Sequence, residues 1–212
     1  MNSKTKAYIS LFSSVVIVVC TVFSVLMFFV SNSVGGNMDV HGTECFVFYT
    51  VDSNILCALS VIPTVVIAVK TVCGKEAEPK KWITLLRFAG TVSVALTFTV
   101  VMAFLGPLEG YRKMTEGINL FMHVTTPIIA VLSFIFLEGG AKTTLSDCVI
   151  SLVPSFIYGI VYAVMVVGIS KWPDFYSFNI GGMWYLTAVV VFGAVFGLSV
   201  LISFLRNRSQ KL

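Results

Sequence analysis

Apolar residues fill six long stretches of the chain, at 7–30, 45–69, 83–105, 118–137, 148–169 and 183–205, separated by polar breaks that each hold Gly or Pro. The first break contains the pair Gly35-Gly36. A bilayer core of about 30 Å takes about 20 apolar residues per helix, so every stretch predicts one crossing. The expected fold is all-α, a six-helix transmembrane bundle forming a single domain over 1–212.

The basic residues set the orientation, because cytoplasmic connections carry the excess of Lys and Arg. With both termini cytoplasmic, that side holds Lys4, Lys6, Lys70, Lys75, Lys80, Lys81, Arg87, Lys142, Arg206, Arg208 and Lys211, which is 11 of 14 basic residues. The outer side holds Arg112, Lys113 and Lys171. Both ends are therefore expected in the cytoplasm. Lys4 and Lys6 before an apolar run, with Ser31-Asn32-Ser33 after it, resemble a secretory signal. The 24-residue run exceeds the signal core of about 7–15 residues, so it is retained as a helix.

Composition removes the soluble alternative. Of 212 residues 57% are hydrophobic and 11% charged, with a mean hydropathy of +0.95, against about 25% charged in soluble domains. Trp172, Tyr176, Trp184 and Tyr185 fall at the outer ends of the fifth and sixth helices and Trp82 at an inner end, where interfacial anchors belong. The net charge of +4 is read as topology, since no basic stripe with interleaved aromatics marks a nucleic-acid binder. Cys20, Cys45, Cys57, Cys73 and Cys148 have no CxxC or metal spacing and suggest no disulfide framework. No internal repeat supports an inverted-repeat transporter. One intramembrane histidine cannot give bis-His haem ligation, and no metal or other cofactor is expected.

Polar groups at membrane depth are costly and are the default functional candidates. In the second helix Thr50, Ser53, Asn54 and Cys57 share a stripe, whereas Asp52 is turned about 160–200° from Thr50. Arg87 belongs near the opposite membrane face and is a poor partner for Asp52. In the fourth helix Asn119, His123 and Thr126 share a face, and Pro127 removes the normal helical donor to the His123 carbonyl. His41 is expected in a solvated outer loop. Thr50 comes five residues after Cys45, and His123 five after Ile118. At 1.5 Å per residue both are expected about 7–8 Å into the outer leaflet, where they can meet. Ser151, Pro154, Tyr158 and Tyr162 form a further stripe, with Tyr162 reaching the same layer.

A hydroxyl beside a neutral imidazole is the minimum for nucleophilic acyl transfer. Thr50 would attack, His123 would take its proton, and Asn54, Asn119, Tyr158 and Tyr162 could bind substrate, hold the oxyanion or orient the pair. The competing reading is structural, because hydroxyl, amide and imidazole groups also hydrogen-bond between membrane helices.

Three segments carry a family resemblance: Phe48-Tyr49-Thr50-Val51-Asp52-Ser53-Asn54, Asn119-Leu-Phe-Met-His123-Val-Thr-Thr-Pro127, and Trp172-Pro173-Asp174-Phe175-Tyr176-Ser177-Phe178. In order and spacing the chain resembles the androgen-induced-gene / androgen-dependent TFPI-regulating family and its bacterial six-helix relatives. The resemblance implies an intramembrane threonine hydrolase of fatty-acid esters of hydroxy fatty acids, with Thr50 as nucleophile and His123 as base. Asp52 and Ser53 are more polar than in animal members, and the third segment resembles the bacterial branch, which implies a bacterial cell membrane and leaves the substrate open.

The expected partners are the lipid bilayer and a lipid-like substrate, with no nucleic acid. Two other classes compete with a lipid-ester hydrolase. One is a solute or proton path lined by Asp52, Asn54, His123 and Tyr162. The other is a non-enzymatic scaffold packing a partner helix on Gly193 and Gly197.

Overall fold

The structure is a computed structural model that describes residues 2–30, 40–75 and 77–211. Ser31-Asn32-Ser33 and the Gly35-Gly36 pair lie outside the described residues. Six helices are long and apolar enough to cross a membrane: α1 Ser3–Val30, α2 Tyr49–Val72, α3 Lys81–Glu109, α4 Ile118–Phe136, α5 Leu145–Gly168 and α6 Trp184–Ser209. Among the described residues there is no strand. The architecture is the all-α six-helix bundle of a multi-pass membrane protein.

The expected spans and the observed helices differ mainly at their ends, where hydropathy is blind to capping. α5 starts at Leu145 because Thr144 and Asp147 form a reciprocal capping box. The largest difference is in α2. Gly42–Val47 forms a separate 3₁₀ turn, and Phe48 is extended with φ −98° and ψ 126°. The α-helix therefore begins only at Tyr49. Thr50 is its second residue and not a group one turn further down.

The central element is α3, in which every residue from Arg87 to Thr97 is buried. Apolar packing there centres on Phe88 stacked with Phe134 of α4, ring centroids 5.4 Å apart. Hydroxyl pairs join the helices where hydrocarbon offers no driving force for association. Ser53 of α2 meets Thr97 of α3 at 2.9 Å, and Ser151 of α5 meets Ser199 of α6 at 2.8 Å. Gly193 and Gly197 are exposed, with nothing near the position a Cβ would take, so the pair does not pack inside the bundle.

At the inner end two buried arginines tie the helices together. Arg87 Nε donates to Glu138 Oε1 at 3.0 Å, which places it far from Asp52 as the sequence suggests. Arg206 donates to the carbonyls of Glu138, Gly139 and Ala141 at 3.4, 2.7 and 3.1 Å, satisfying acceptors beyond the C-terminal end of α4. Ser3 and Lys6 line the same cavity as Arg206, so the two chain ends lie at one end of the bundle.

The Arg87–Glu138 pair gives a direct stability test, because both side chains are almost fully buried, at 1% and 6% exposure. Removing one partner of a buried pair strands the other charge and costs about 3–5 kcal/mol. Glu138→Ala is expected to lose stability of that size in detergent unfolding, and Arg87→Met with Glu138→Leu to recover much of it. An unchanged unfolding midpoint for Glu138→Ala would refute the role given to this pair.

Candidate functional site

The outer half of the bundle brings together the start of α2, the first turns of α4, and the loop that follows α5. Thr50 Oγ1 lies 3.4 Å from His123 Nε2. The other ring nitrogen, Nδ1, is 2.6 Å from the carbonyl oxygen of Met114. A carbonyl can only accept, so Nδ1 carries the proton and the neutral ring presents the Nε2 lone pair to the Thr50 hydroxyl. His123 is 7% exposed.

Local chain geometry explains how Met114 reaches a histidine nine residues later. The short helix Tyr111–Thr115 is flanked by Gly110 and Gly117, with φ of 94° and 60°. These left-handed turns fold the segment back over the start of α4. Asn119 Nδ2 donates to the Lys113 carbonyl at 3.1 Å and holds the fold-back in place. Asn119 thus acts on the loop next to Met114 and is not aimed at the Thr50 hydroxyl.

Phe121–Thr125 is a π-helical turn, in which Thr126 N–H donates to the Phe121 carbonyl. In that register the next donor, to the Met122 carbonyl, would be Pro127, which has no N–H. Asn54 fills the gap, its Nδ2 donating to the Met122 carbonyl at 3.0 Å and to the Thr50 carbonyl at 2.8 Å. The carbonyl released by Pro127 is therefore that of Met122, one residue before the one expected from α-helical spacing. Asn54 stitches together the two helices that carry Thr50 and His123. Its amide donors are spent there, which removes it as an oxyanion donor, while its buried Oδ1 has no partner.

The two tyrosines of α5 also serve neighbouring backbone. Tyr158 hydroxyl donates to the Val47 carbonyl at 2.8 Å and so fastens the 3₁₀ turn that precedes α2. Tyr162 hydroxyl donates to Asp174 Oδ1 at 3.0 Å and accepts from Tyr176 N–H at 3.2 Å. Asp174 also accepts from the N–H groups of Phe178 and Asn179, both at 2.8 Å. This network holds Ser177 at φ 50°, a left-handed position that an L-residue occupies at a cost of about 1–2 kcal/mol.

The loop so fixed delivers Tyr176, which was assigned from the sequence to an interfacial belt. Trp184 and Tyr185 are exposed as belt residues should be. The Tyr176 hydroxyl is instead fully buried, facing the hydroxyls of Thr50 and Tyr158 and the N–H groups of Tyr49 and Thr50, without a formed hydrogen bond. Burial pushes its phenol up to about 12, so it remains a proton donor at neutral pH. The crowding of aromatics and one acid in 172–178 was the available sequence signal for a built structure there.

Asp52 lies on the side of α2 away from His123 and borders a cavity of ≈ 290 Å³ together with Tyr49, Ser53 and Tyr158. A second cavity, of ≈ 230 Å³, lies at the inner end beside Arg87 and Arg206. Neither is lined by Thr50 or His123. His41 is exposed beside the 3₁₀ turn. No group of three His, Cys, Asp or Glu among the described residues could hold a metal ion. No family model, curated protein or solved structure matches this chain.

The tautomer can be read directly. ¹⁵N spectra of His-labelled protein are expected to show His123 neutral and protonated on Nδ1 at pH 7. A signal from an Nε2-protonated neutral ring would reverse the direction of the Thr50 contact and remove the base.

Proposed function

We propose that the chain is an integral-membrane hydrolase of a lipid ester, working with Thr50 as nucleophile and His123 as general base. The observation that carries this reading is the pair of contacts on His123, Met114 O at Nδ1 and Thr50 Oγ1 at Nε2. A histidine used only for packing needs neither a fixed tautomer nor a hydroxyl at its free lone pair. The 3.4 Å separation exceeds the about 2.6–3.2 Å of an engaged catalytic contact, so substrate binding must close it by a few tenths of an ångström.

In the proposed reaction Thr50 Oγ1 adds to the ester carbonyl carbon as its proton passes to His123 Nε2. Negative charge develops on the carbonyl oxygen, where the Tyr176 phenol and the N–H groups of Tyr49 and Thr50 supply donors. Collapse breaks the C–O bond of the ester, and the leaving alkoxide takes the proton from Nε2. Water then attacks the acyl-threonine by the same route in reverse, releasing the acid and restoring the Thr50 hydroxyl. The transient imidazolium is supported by a neutral carbonyl at Nδ1 where many triads have a carboxylate.

Neither cavity is lined by Thr50 or His123, so a substrate reaches the pair only after a side-chain movement. The cavity of ≈ 290 Å³ is lined by Tyr158, and the Tyr176 hydroxyl faces the hydroxyls of Tyr158 and Thr50. The solute-path alternative is weakened, because Asn54 and Tyr162 commit their donors to helix and loop contacts. The likeness to the intramembrane threonine hydrolases bears on the same two residues and leaves the substrate open.

A fluorophosphonate or activated-ester probe is expected to label the wild type at Thr50. Thr50→Ala should abolish labelling, and His123→Ala should lower it by about 10²–10⁴-fold per folded molecule, the contribution of a general base, while also losing stability because the Met114 carbonyl is left without its donor. Equal labelling of the wild type and Thr50→Ala would overturn the assignment.

A further inference from the structure

Asp52 is the one acidic side chain in the first turn of α2, and the dyad does not use it. Among the described residues no hydrogen bond reaches its carboxylate oxygens, and the four ion pairs all lie elsewhere. An acid inside a membrane helix is by default a candidate for a functional partner.

The surroundings of Asp52 specify what kind of counter-charge fits. The cavity beside it, ≈ 290 Å³ in volume, is also lined by Phe46, Tyr49, Tyr158 and Trp172. The polar edges of two of these rings are engaged elsewhere, Tyr49 with Ser155 Oγ at 2.6 Å and Tyr158 with the Val47 carbonyl. Their remaining contribution to a ligand is π surface. The rings of Tyr49 and Tyr158 meet at 58° with centroids 5.0 Å apart, forming a corner and not a flat stack.

A carboxylate among aromatic rings is suited to an organic ammonium, whose diffuse charge is attracted by ring quadrupoles. A hard metal cation is a poor fit, because Ca²⁺ or Mg²⁺ requires about six oxygen ligands and this cavity offers one carboxylate and a few hydroxyls. The cavity is close to the lower bound of about 300 Å³ for small-molecule pockets, a size for a headgroup and not for a whole lipid.

We propose that the groove between α2, α3 and α5 binds an alkylammonium group, with Asp52 as the counter-charge and Phe46, Tyr49, Tyr158 and Trp172 as the cage. The group arrives either on a lipid headgroup of the choline or ethanolamine type or as a soluble amine. The site is independent of the Thr50–His123 reading, because Asp52 and His123 lie on different sides of α2.

The test uses the full chain with Trp82→Phe and Trp184→Phe, so that Trp172 is the sole indole reporter, in phosphatidylglycerol nanodiscs that contain no ammonium headgroup. Tetramethylammonium is expected to change Trp172 fluorescence saturably, with binding weakened by about tenfold or more in the isosteric Asp52→Asn variant. Uncharged tert-butanol should give no saturable change, and sodium should not compete. Repeating the titration in phosphatidylcholine nanodiscs separates the sources. A lost response there means that the lipid headgroup already fills the site, whereas a retained one assigns a soluble amine, and either outcome upholds the ammonium site. No saturable response in phosphatidylglycerol, equal binding by Asp52→Asn, or equal competition by sodium or tert-butanol would overturn it.

Discussion

The contact between the Met114 carbonyl and His123 Nδ1 is the constraint on which the outer half of the molecule depends. It assigns the ring proton, and the assigned proton gives Nε2 its lone pair. Without it the same imidazole could donate to Thr50 as easily as accept, and the two residues would form an ordinary interhelical hydrogen bond. The contact itself rests on backbone geometry. Two glycines at positive φ turn the segment before α4 back over it, and Asn119 clamps the turn by its amide.

A second constraint lies in the chain just after the histidine. Pro127 withholds a donor, the helix widens into a π-turn, and Asn54 from α2 takes the freed Met122 carbonyl. One amide group therefore holds both the residue before His123 and the carbonyl of Thr50 itself. An unmet acceptor in lipid is expensive, so this bridge fixes the relative position of α2 and α4 more firmly than apolar packing could. The irregularity in α4 and the approach of the two candidate groups are the same structural event.

The spans were legible in the sequence because a helix in lipid must be long and apolar, and that demand is written residue by residue. The convergence of Thr50 and His123 was legible from depth and helical stripe, although α2 starts four residues later than its hydropathy suggests. Hydropathy cannot register that Phe48 is extended or that Gly42–Val47 forms its own turn. Asn54, Asn119, Tyr158 and Tyr162 were recognised as important by residue type, but their roles were not. Each spends its donor on a carbonyl or carboxylate whose position only the folded backbone defines. Tyr176 was missed for a related reason: an aromatic near a helix end looks like an anchor until a loop network turns it inward.

That network makes the loop after α5 part of the site and not a mere connection. Asp174 gathers three donors and keeps Ser177 in a left-handed conformation beside Tyr176. Stored strain of this kind persists only where surrounding contacts over-determine the backbone. Its effect is to hold a phenol against the first turn of α2, where the hydroxyl of Thr50 and two backbone N–H groups converge. The same turn presents Asp52 to the groove on its other side. A single helix start, delayed by four residues relative to its hydropathy, thus presents the Thr50 hydroxyl to one neighbour and the Asp52 carboxyl to another.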